Sequence, residues 1–189
     1  MKIFFHASIF GKQYYEEQYK TIVGICEVNG HHVFADHLIK RDYTVTDKFT
    51  KEEHQKDFQK LTKQIKESDS VIIEGTYPSI GTGHYMTIAL NYLKPTLVLY
   101  QNNPHGVLVG DPNRLLILRK YSQANKNDLE EKIKKFLVTA RKKRLKNRFN
   151  LMLDDEMVEY LDSKAKRNGV SKADIVRQLI VERLKNNDR

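Results

Sequence analysis

The first two thirds of the chain alternate between short apolar runs and longer segments whose apolar residues recur every three or four positions. Five short runs of aliphatic and aromatic residues predict strands, at residues 3–5, 31–35, 71–73, 96–100 and 115–118. The segments between them predict helices, as at Tyr15, Tyr19 and Ile22. This alternation favours an α/β fold in which a parallel sheet of about five strands carries helices on both faces.

A sheet of this flavodoxin- or Rossmann-like kind binds its ligands beyond the carboxyl ends of the strands, where the strand order reverses. We therefore expect the segments that follow the first three predicted strands to form one crevice. They contribute Ser8 with Ile9, Asp36 with His37, and residues 74–85. For Asp36 and His37, contact with a ligand and a cap at the strand end are equally acceptable interpretations.

The last third of the chain has an almost entirely helical pattern. A helix is predicted from about Asn127, with Leu129, Ile133 and Phe136 on one face. It runs into a segment at 141–148 in which six of eight residues are basic. The pattern divides the chain into a first domain at 1–122, a basic helical linker at 123–146 and a small second domain at 147–189.

The positive charge of the chain is concentrated towards its C-terminal end. The formal net charge is +9 at pH 7; residues 125–189 carry 18 Lys and Arg against 11 Asp and Glu, whereas the first 124 residues carry 15 against 13. This distribution is typical of a nearly neutral globular domain joined to a segment that binds a polyanion. A lysine-rich solvated surface explains the charge alone equally well.

Several classes of protein are disfavoured by the composition. No stretch approaches the roughly 18 uninterrupted apolar residues that a membrane span needs, and the first residues lack the pattern of a signal peptide. Cys26 is the only cysteine, which excludes an intramolecular disulfide or a cysteine-based zinc site and fits a reducing cytoplasm. We therefore expect a cytoplasmic protein without a membrane partner, a metal site or a cofactor.

The second domain begins with the segment RFNLML at 148–153, which alternates strictly between the two sides of a strand. Its apolar side consists of Phe149, Leu151 and Leu153, and its opposite side of Arg148, Asn150 and Met152. Acidic residues at 154–156 favour a helix start, and the Asn-Gly pair at 168–169 favours its end. Ser171 with Asp174 has the spacing of a capping box at the start of a final helix.

One strand and two short helices bury little core, and a lone strand needs a partner, so the economical arrangement is a homodimer with paired strands. Over residues 147–186, the ordered combination of RFNLML, DDE, NGVS and SKADIVRQLI resembles the ribbon-helix-helix family of DNA-binding proteins. The resemblance implies a homodimer, or a higher homo-oligomer, whose ribbon enters the major groove of double-stranded DNA. The residues implied to contact DNA are Arg148, Asn150 and Met152 at the bases and Ser171 and Lys172 at the phosphates. A dimerisation module with a solvated polar face is the alternative.

A second motif follows the third predicted strand, where a glycine-containing turn is predicted at 75–83, before the next helix. Its sequence TYPSIGTGHY at 76–85, together with FHASI at 5–9, resembles the nucleoside 2-deoxyribosyltransferase-like family, which includes deoxynucleoside-monophosphate N-glycosidases, over about residues 1–122. The resemblance implies a pocket for a nucleoside or nucleotide, in which glycines and a helix N-terminus approach the sugar or phosphate. The implied ligand-binding residues are Ser8, Ile9, Asp36, His37, Ser79, Gly81, Gly83, His84 and Tyr85.

The chain departs from that family at the catalytic position. In the family, a Glu that closes the motif attacks C1′ of the deoxyribose. Tyr85 occupies this position here, and a phenol with an ordinary pKa of about 10 cannot replace an ionised carboxylate at pH 7. The candidates for a substitute carboxylate are Asp36, Asp57 and Glu74. His84 is either a ligand contact or, as the favoured alternative, a solvent-exposed loop histidine.

The two resemblances together imply two functions from different classes. The first is a dimeric, sequence-specific DNA-binding regulator whose first domain binds a nucleoside-type ligand without efficient turnover. The second is an active N-glycosidase or deoxyribosyltransferase that uses a displaced carboxylate and acts as a toxin or as a retron-type effector of anti-phage defence. A DNA-organising or plasmid-maintenance protein, whose first domain only oligomerises, is a third hypothesis.

Overall fold

The computed structural model describes residues 1–46, 48–102, 106–143 and 151–187. The chain divides into two compact units, an N-terminal unit at 1–145 and a C-terminal unit at 146–189. Each unit has its own core, and the two are described separately.

The N-terminal unit is built on one parallel sheet with the strand order β2-β1-β3-β4-β5. Its strands are β1 (Lys2–Ala7), β2 (His32–Phe34), β3 (Ser70–Glu74), β4 (Thr96–Tyr100) and β5 (Leu116–Lys120). Phe4 of β1 pairs with Phe34 on one side and with Val71 on the other, so the strand order reverses beside β1. The predicted parallel sheet of five strands is confirmed.

Helices cover both faces of this sheet. They are α1 (Lys12–Val28), α2 (Asp36–Ile39), α3 (Tyr43–Thr46), α4 (Lys51–Glu67), α5 (Ile80–Asn91), α6 (Gly106–Val109) and α7 (Lys126–Lys143). Helix α7 lies in the segment 123–146, for which the composition predicts a linker, and its Ile133 and Phe136 are buried in the N-terminal unit. Across the described ranges of the chain, no helix combines the length and the apolar character needed to span a membrane.

The core consists of two apolar layers, because a parallel sheet is buried on both faces. On the side covered by α1 and α7, the sheet contributes Phe5, Ile72 and Leu97. On the side covered by α4 and α5, it contributes Phe4 and Ile73. Successive residues of one strand therefore contact different helices. Polar side chains at neighbouring positions of a strand likewise lie on opposite faces of the sheet.

The prediction of a glycine-containing turn as far as residue 83 is wrong at its end. Helix α5 begins at Ile80, and Ser79 is its N-cap, whose Oγ accepts a hydrogen bond from the N–H of Thr82 at 3.4 Å. Gly81 and Gly83 therefore lie in the first turns of the helix. An N-cap serine satisfies an N–H group that would otherwise be unpaired, which offsets the low helix propensity of the two glycines.

The C-terminal unit contains α8 (Asp155–Asn168) and α9 (Lys172–Asn187). Asp154 caps α8 by accepting a hydrogen bond from the N–H of Met157 at 2.8 Å, and Gly169 ends it in the left-handed conformation, with φ at 65°. At the start of α9, the side chains of Ser171 and Asp174 each accept a hydrogen bond from the backbone N–H of the other. These contacts confirm the predicted helix boundaries.

A single copy of the C-terminal unit has a small core. Leu161, Ala165 and Ile175 are buried, and Leu153 packs on them. Large apolar side chains are exposed at Leu151, Met152, Met157, Tyr160, Leu179, Ile180 and Leu184. Of the strand predicted at 148–153, the last three residues have no regular secondary structure in the single chain, and the first three lie outside the described residues.

A close contact joins the loops that follow β1 and β3. A Cβ atom at Gly11 would lie 2.7 Å from Cβ of Tyr77 and 2.6 Å from Oη of Tyr19. The Tyr19 hydroxyl donates a hydrogen bond to the carbonyl of Ser8 at 3.2 Å, and the Tyr77 ring stacks on that of Tyr14 with 6.0 Å between centroids. Only glycine fits at this contact, so the path of the loop after β1 depends on Gly11.

We expect Gly11→Ala to lower the free energy of unfolding by about 1–3 kcal/mol, because the added methyl group must displace the Tyr77 backbone or the Tyr19 ring. The matched control is Gly24→Ala in α1, where an added Cβ meets nothing within 4 Å and alanine has the higher helix propensity. Urea denaturation followed by circular dichroism measures both variants. An unchanged midpoint in Gly11→Ala would show that the two loops are not in contact.

Candidate functional site

The candidate site lies at the carboxyl ends of β1 and β3, on the face covered by α4 and α5. Strand β1 contributes His6, and the segment after β2 contributes His37 and Arg41. Helix α4 contributes Asp57, and helix α5 contributes Tyr85. The reversal of strand order at β1 brings these five residues together, and we refer to them as the crevice cluster.

His6 and His37 form a hydrogen-bonded pair of imidazoles. Nδ1 of His6 lies 2.9 Å from Nε2 of His37, so one of these two nitrogens donates and the other accepts. The His37 ring stacks on Phe4 with 5.2 Å between centroids, and Nδ1 of His37 is buried without a hydrogen-bond partner among the described residues. The contact requires that at least one imidazole is neutral.

Burial lowers the pKa of both imidazoles. The pKa of His6 lies well below its ordinary value because the ring is desolvated and because His37 is next to it, although the charge of Asp57 acts in the opposite direction. Desolvation, with the positive charges of Arg41 and Lys60, lowers the pKa of His37 to about 3. Both rings are therefore neutral at pH 7. Among the described residues, no three His, Cys, Asp or Glu side chains are grouped so as to hold a metal ion.

Tyr85 stands where the family resemblance implies a nucleophilic carboxylate. Its ring meets that of His6 edge-to-face with 4.7 Å between centroids, and lies 6.1 Å from that of Phe58. Burial, followed by the negative charge of Asp57, raises the pKa of the Tyr85 hydroxyl to about 12. A neutral phenol donates and accepts hydrogen bonds at pH 7, but it is not an ionised nucleophile.

The carboxylate of Asp57 is bound by Arg41. Two hydrogen bonds of 2.8 Å run from Nη1 and Nη2 of Arg41 to the two carboxylate oxygens. The guanidinium also lies over the ring of Phe49, 5.1 Å from its centroid. The Arg41 and Asp57 side chains are 21% and 18% exposed, so this ion pair borders on solvent. Asp57 is thus the carboxylate of the crevice cluster, and both of its oxygens are engaged.

Glu74, the other candidate for a substitute carboxylate, lies on the opposite face of the sheet. Its Oε1 accepts hydrogen bonds from the Tyr121 hydroxyl at 3.1 Å and from the N–H and hydroxyl of Thr76, while Oε2 is buried without a partner among the described residues. Gln101 extends this network by donating to Tyr121 at 3.0 Å. Burial raises the pKa of the Glu74 carboxyl, although the hydrogen bonds act against this shift. Glu74 is therefore separated by the sheet from Tyr85.

The predicted residues that follow β1 and β2 differ in exposure. Ser8 is buried, and its Oγ accepts a hydrogen bond from the N–H of Gly11 at 3.4 Å. Ile9 is half-buried beside it. Asp36, in contrast, is largely exposed and forms an ion pair with Lys40 at 3.0 Å. The carboxylate of Asp36 therefore faces solvent, whereas the neighbouring His37 belongs to the crevice cluster.

His84 lies on α5, which corrects the prediction of a loop histidine. Its side chain is exposed, as expected, and its ring stacks on Phe58 with 5.8 Å between centroids. Ser79, Gly81 and Gly83 precede it at the N-terminus of the same helix. These residues border the crevice cluster on the α5 side.

The residues predicted to contact DNA are only partly described. Arg148 and Asn150 lie outside the described residues. The Met152 side chain is 95% exposed, and Ser171 and Lys172 are exposed at the start of α9. Their roles remain predictions.

Two residues of the crevice cluster, His6 and Arg41, escaped prediction as site residues, and so did Phe58, which packs beside Tyr85. The sequence contains a signal for His6, because this polar residue comes at the end of an apolar strand where the crevice is predicted. Side chains alternate along a strand, so His6 lies on the same face as Phe4. Arg41 and Phe58 give no such signal, since their partners lie in other elements of the fold.

The C-terminal unit matches a known family. Residues 147–186 match the ribbon-helix-helix protein, copG family. The C-terminal segment is a ribbon-helix-helix domain. Helices α8 and α9 are the two helices of this domain, and its strand is predicted at 148–153.

The N-terminal unit is similar to solved structures of two nucleoside enzymes. The CMP N-glycosidase BcmB from Clostridium botulinum has a TM-score of 0.50 and 18% identity, and the match covers 71% of this chain and 98% of that chain. A 2-deoxyribosyltransferase from Bacillus psychrosaccharolyticus has a TM-score of 0.50 and 17% identity, with coverage of 69% and 90%. No curated protein sequence matches the chain. At such low identity the likeness establishes the fold: the chain joins a nucleoside deoxyribosyltransferase-like α/β fold to a ribbon-helix-helix domain.

We expect the protein to lose stability as the pH falls below about 6.5, because the unfolded chain then binds protons at His6 and His37 while the folded chain keeps both imidazoles neutral. Each neutral imidazole contributes up to about 1.4 kcal/mol per pH unit in this range. The effect of His37 extends down to its folded pKa of about 3.

This contribution is measured by urea unfolding of the wild type and of His37→Asn between about pH 7.5 and pH 5. The two proteins are compared by the slope of the free energy of unfolding against pH. The variant should show the weaker pH dependence. His54→Asn, which removes an exposed histidine of α4, is the matched control. Equal slopes in the wild type and His37→Asn would contradict the buried, neutral pair.

Proposed function

We propose that this protein is a homodimeric, sequence-specific DNA-binding regulator whose N-terminal unit binds a nucleoside or nucleotide without efficient turnover. The DNA-binding part of the proposal rests on the match of residues 147–186 to the ribbon-helix-helix family. The ligand-binding part rests on the crevice cluster and on the fold that positions it.

Dimerisation is supported by the incomplete core of the C-terminal unit. Leu179, Ile180 and Leu184 of α9 are 43%, 56% and 62% exposed in the single chain. A small unit with so little buried surface is stabilised by association, and the strand predicted at 148–153 needs a partner strand. Pairing of two copies places the predicted base-contacting residues of both on one face of a ribbon.

DNA binding is supported by the charge and chemistry of the same region. Residues 146–189 carry 10 Lys and Arg against 8 Asp and Glu, and the larger excess at residues 125–145 belongs to the N-terminal unit. Neutralising phosphates with such cations releases counterions. Arg148 suits the two acceptors of guanine, and Asn150 suits the donor and acceptor of adenine. Ser171 and Lys172 are suited to phosphate because they lie at a helix start.

Binding without turnover is supported by the residue at the nucleophile position and by the contacts of the two candidate carboxylates. Tyr85 replaces the implied nucleophile and stays protonated at pH 7. Asp57 is held by Arg41, and Glu74 lies on the opposite face of the sheet. Two neutral imidazoles and a phenol can instead hydrogen-bond the polar groups of a base or a sugar. This combination favours recognition of a ligand over cleavage of its glycosidic bond.

The second candidate function is that of an N-glycosidase or deoxyribosyltransferase acting as a toxin or anti-phage effector. Asp57 favours it, because it is the carboxylate of the crevice cluster and its side chain, at 18% exposure, borders on solvent. In such a reaction Asp57 leaves Arg41 and attacks C1′ of the sugar. The C1′–O bond forms as the C1′–N bond breaks, and the base leaves with a proton from water. The hydroxide from that water, or an acceptor base, then attacks C1′ and releases the Asp57 carboxylate.

Asn150→Ala should weaken binding to a duplex that the wild type selects from a random pool by about 1–3 kcal/mol, and should leave binding to random duplex nearly unchanged. Fluorescence anisotropy at several salt concentrations measures both affinities. For either duplex, the logarithm of the association constant should change by about −0.9 per unit of log salt for each neutralised phosphate.

The matched control is Asn102→Ala, which removes an exposed asparagine of the N-terminal unit and should bind DNA as the wild type does. Equal losses on both duplexes would show that Asn150 does not read bases. A protein that is monomeric at micromolar concentration and binds no duplex would rule out the proposed function.

A further inference from the structure

We propose that the end of α7, in the N-terminal unit, is a second DNA-binding surface, on which Arg141 and Lys142 bind phosphates that flank the duplex site of the ribbon-helix-helix domain. The inference rests on the proposed DNA binding and adds a contact outside residues 147–186. It is carried by the position of these two side chains on a packed helix and by the distribution of charge along the chain.

The C-terminal unit alone has little excess of positive charge. Residues 146–189 carry 10 Lys and Arg against 8 Asp and Glu. Residues 125–145, which belong to the N-terminal unit, carry 8 against 3 in less than half the length. Affinity for DNA depends strongly on the number of phosphates that a protein neutralises. Most of the excess charge available for this purpose therefore precedes the ribbon-helix-helix domain.

The earlier lysines of α7 are compensated within the helix. Lys134 forms an ion pair with Glu130 at 2.6 Å, and Lys135 forms one with Glu131. In each pair the acidic residue stands four positions before the lysine, on the same face of the helix. These lysines therefore add little net positive charge to the surface around them.

Arg141 and Lys142 have no acidic residues around them in the sequence. No Asp or Glu lies between residues 131 and 154, whereas six of the eight residues at 141–148 are basic. The helix dipole favours cations in a last turn, but this effect falls off beyond that turn and does not account for six of them. Cations so close together repel one another, and a bound polyanion removes this repulsion.

The end of α7 is fixed to the N-terminal unit and exposes these two cations. Ile133, Phe136 and Ala140 of α7 are buried in the apolar layer that the helix shares with α1 and the sheet. Ala140 immediately precedes the pair, and the side chains of Arg141 and Lys142 are exposed. The backbone of this turn is therefore held in place while its charged groups remain accessible to a large partner.

Neighbouring segments do not cancel this charge. Helix α1 and strand β1 belong to the same apolar layer as the last turns of α7. The end of α1 contributes Glu27, and Asp69 accepts a hydrogen bond from the N–H of Lys2 at 2.9 Å. Lys2 and the four cations at 141–144 outnumber these two carboxylates. A positive surface remains when both carboxylates are counted.

The chain connects this surface directly to the ribbon-helix-helix domain. Arg148 follows Arg141 by seven residues, which span at most about 25 Å of extended chain, or about seven base pairs of duplex. A duplex bound by the domain therefore passes within reach of the end of α7, and its phosphates carry the complementary charge. This connection favours DNA over an anionic lipid surface as the partner.

The test is the salt dependence of DNA binding by the full-length protein, measured by fluorescence anisotropy on the duplex that the wild type selects from a random pool. In the double variant Arg141→Gln/Lys142→Gln, the slope of log K against log salt should become shallower by about 0.9 for each phosphate contact that is lost. A dimer loses up to four such contacts, so we expect a change in slope of about 2–4 and weaker binding.

The matched control is the double variant Lys134→Gln/Lys135→Gln. It removes the same number of charges from the same helix, at positions that are paired with Glu130 and Glu131. Its slope should stay close to that of the wild type. An equal change of slope in both double variants would show an effect of net charge alone and would overturn the inference. Melting temperatures of both variants identify any loss of folding.

The length of the duplex provides a second, independent arm. The shortest duplex that keeps base-specific binding is compared with one extended by about ten base pairs at each end, which exceeds the reach of about seven base pairs. The extension should strengthen binding of the wild type and have little effect on Arg141→Gln/Lys142→Gln. An equal gain in both proteins would contradict a contact of α7 with the flanking phosphates.

The outcomes separate this inference from the proposed function. A wild type that binds no duplex overturns the proposed DNA binding and this inference with it. Specific binding with the same slope in the wild type and in Arg141→Gln/Lys142→Gln overturns only the inference. If that variant loses binding to phosphatidylserine vesicles while its slope on DNA is unchanged, the surface binds lipid and the inference is likewise overturned.

Discussion

The reversal of strand order beside β1 is the constraint on which the candidate site depends. Strands β2 and β3 pair with opposite sides of β1, so the connections that leave their carboxyl ends diverge and open a crevice. His6, His37 and Tyr85 lie far apart in the sequence and meet only because of this topology. The same reversal brings α4 beside the segment after β2, and so allows Arg41 to bind Asp57.

Much of the fold follows from the sequence, because each strand is a short buried apolar run and the helices between them keep their periodicity. Helix α5 begins earlier than predicted, because the N-cap hydrogen bond of Ser79 outweighs the low helix propensity of the glycines that follow it. The site was harder to predict. Side chains alternate along a strand, so the sequence predicts that Ile73 and Glu74 lie on opposite faces of the sheet. Only the packed structure shows that α5, and with it Tyr85, covers the face of Ile73. The contact of His6 with His37 likewise depends on the connection after β2.

The charged groups of the crevice cluster are paired, and its titratable rings are neutral at pH 7. A nucleophilic carboxylate must be ionised and free, whereas Asp57 is bound by Arg41 and the Glu74 carboxyl is buried elsewhere. The imidazoles and the phenol are neutral at pH 7 and can match the donors and acceptors of a nucleoside. One copy of the ribbon-helix-helix domain leaves large apolar side chains of α8 and α9 exposed, which is the observation behind the proposed dimer.

We propose that a nucleoside in the crevice keeps its glycosidic bond intact. The most direct test is to incubate the protein with ribonucleoside and deoxyribonucleoside monophosphates and to measure free base by liquid chromatography. We predict that no base is released above the rate in the absence of protein. Release that persists in Tyr85→Phe and disappears in Asp57→Asn or Glu74→Gln would contradict this claim, and would identify the protein as a glycosidase with a relocated carboxylate.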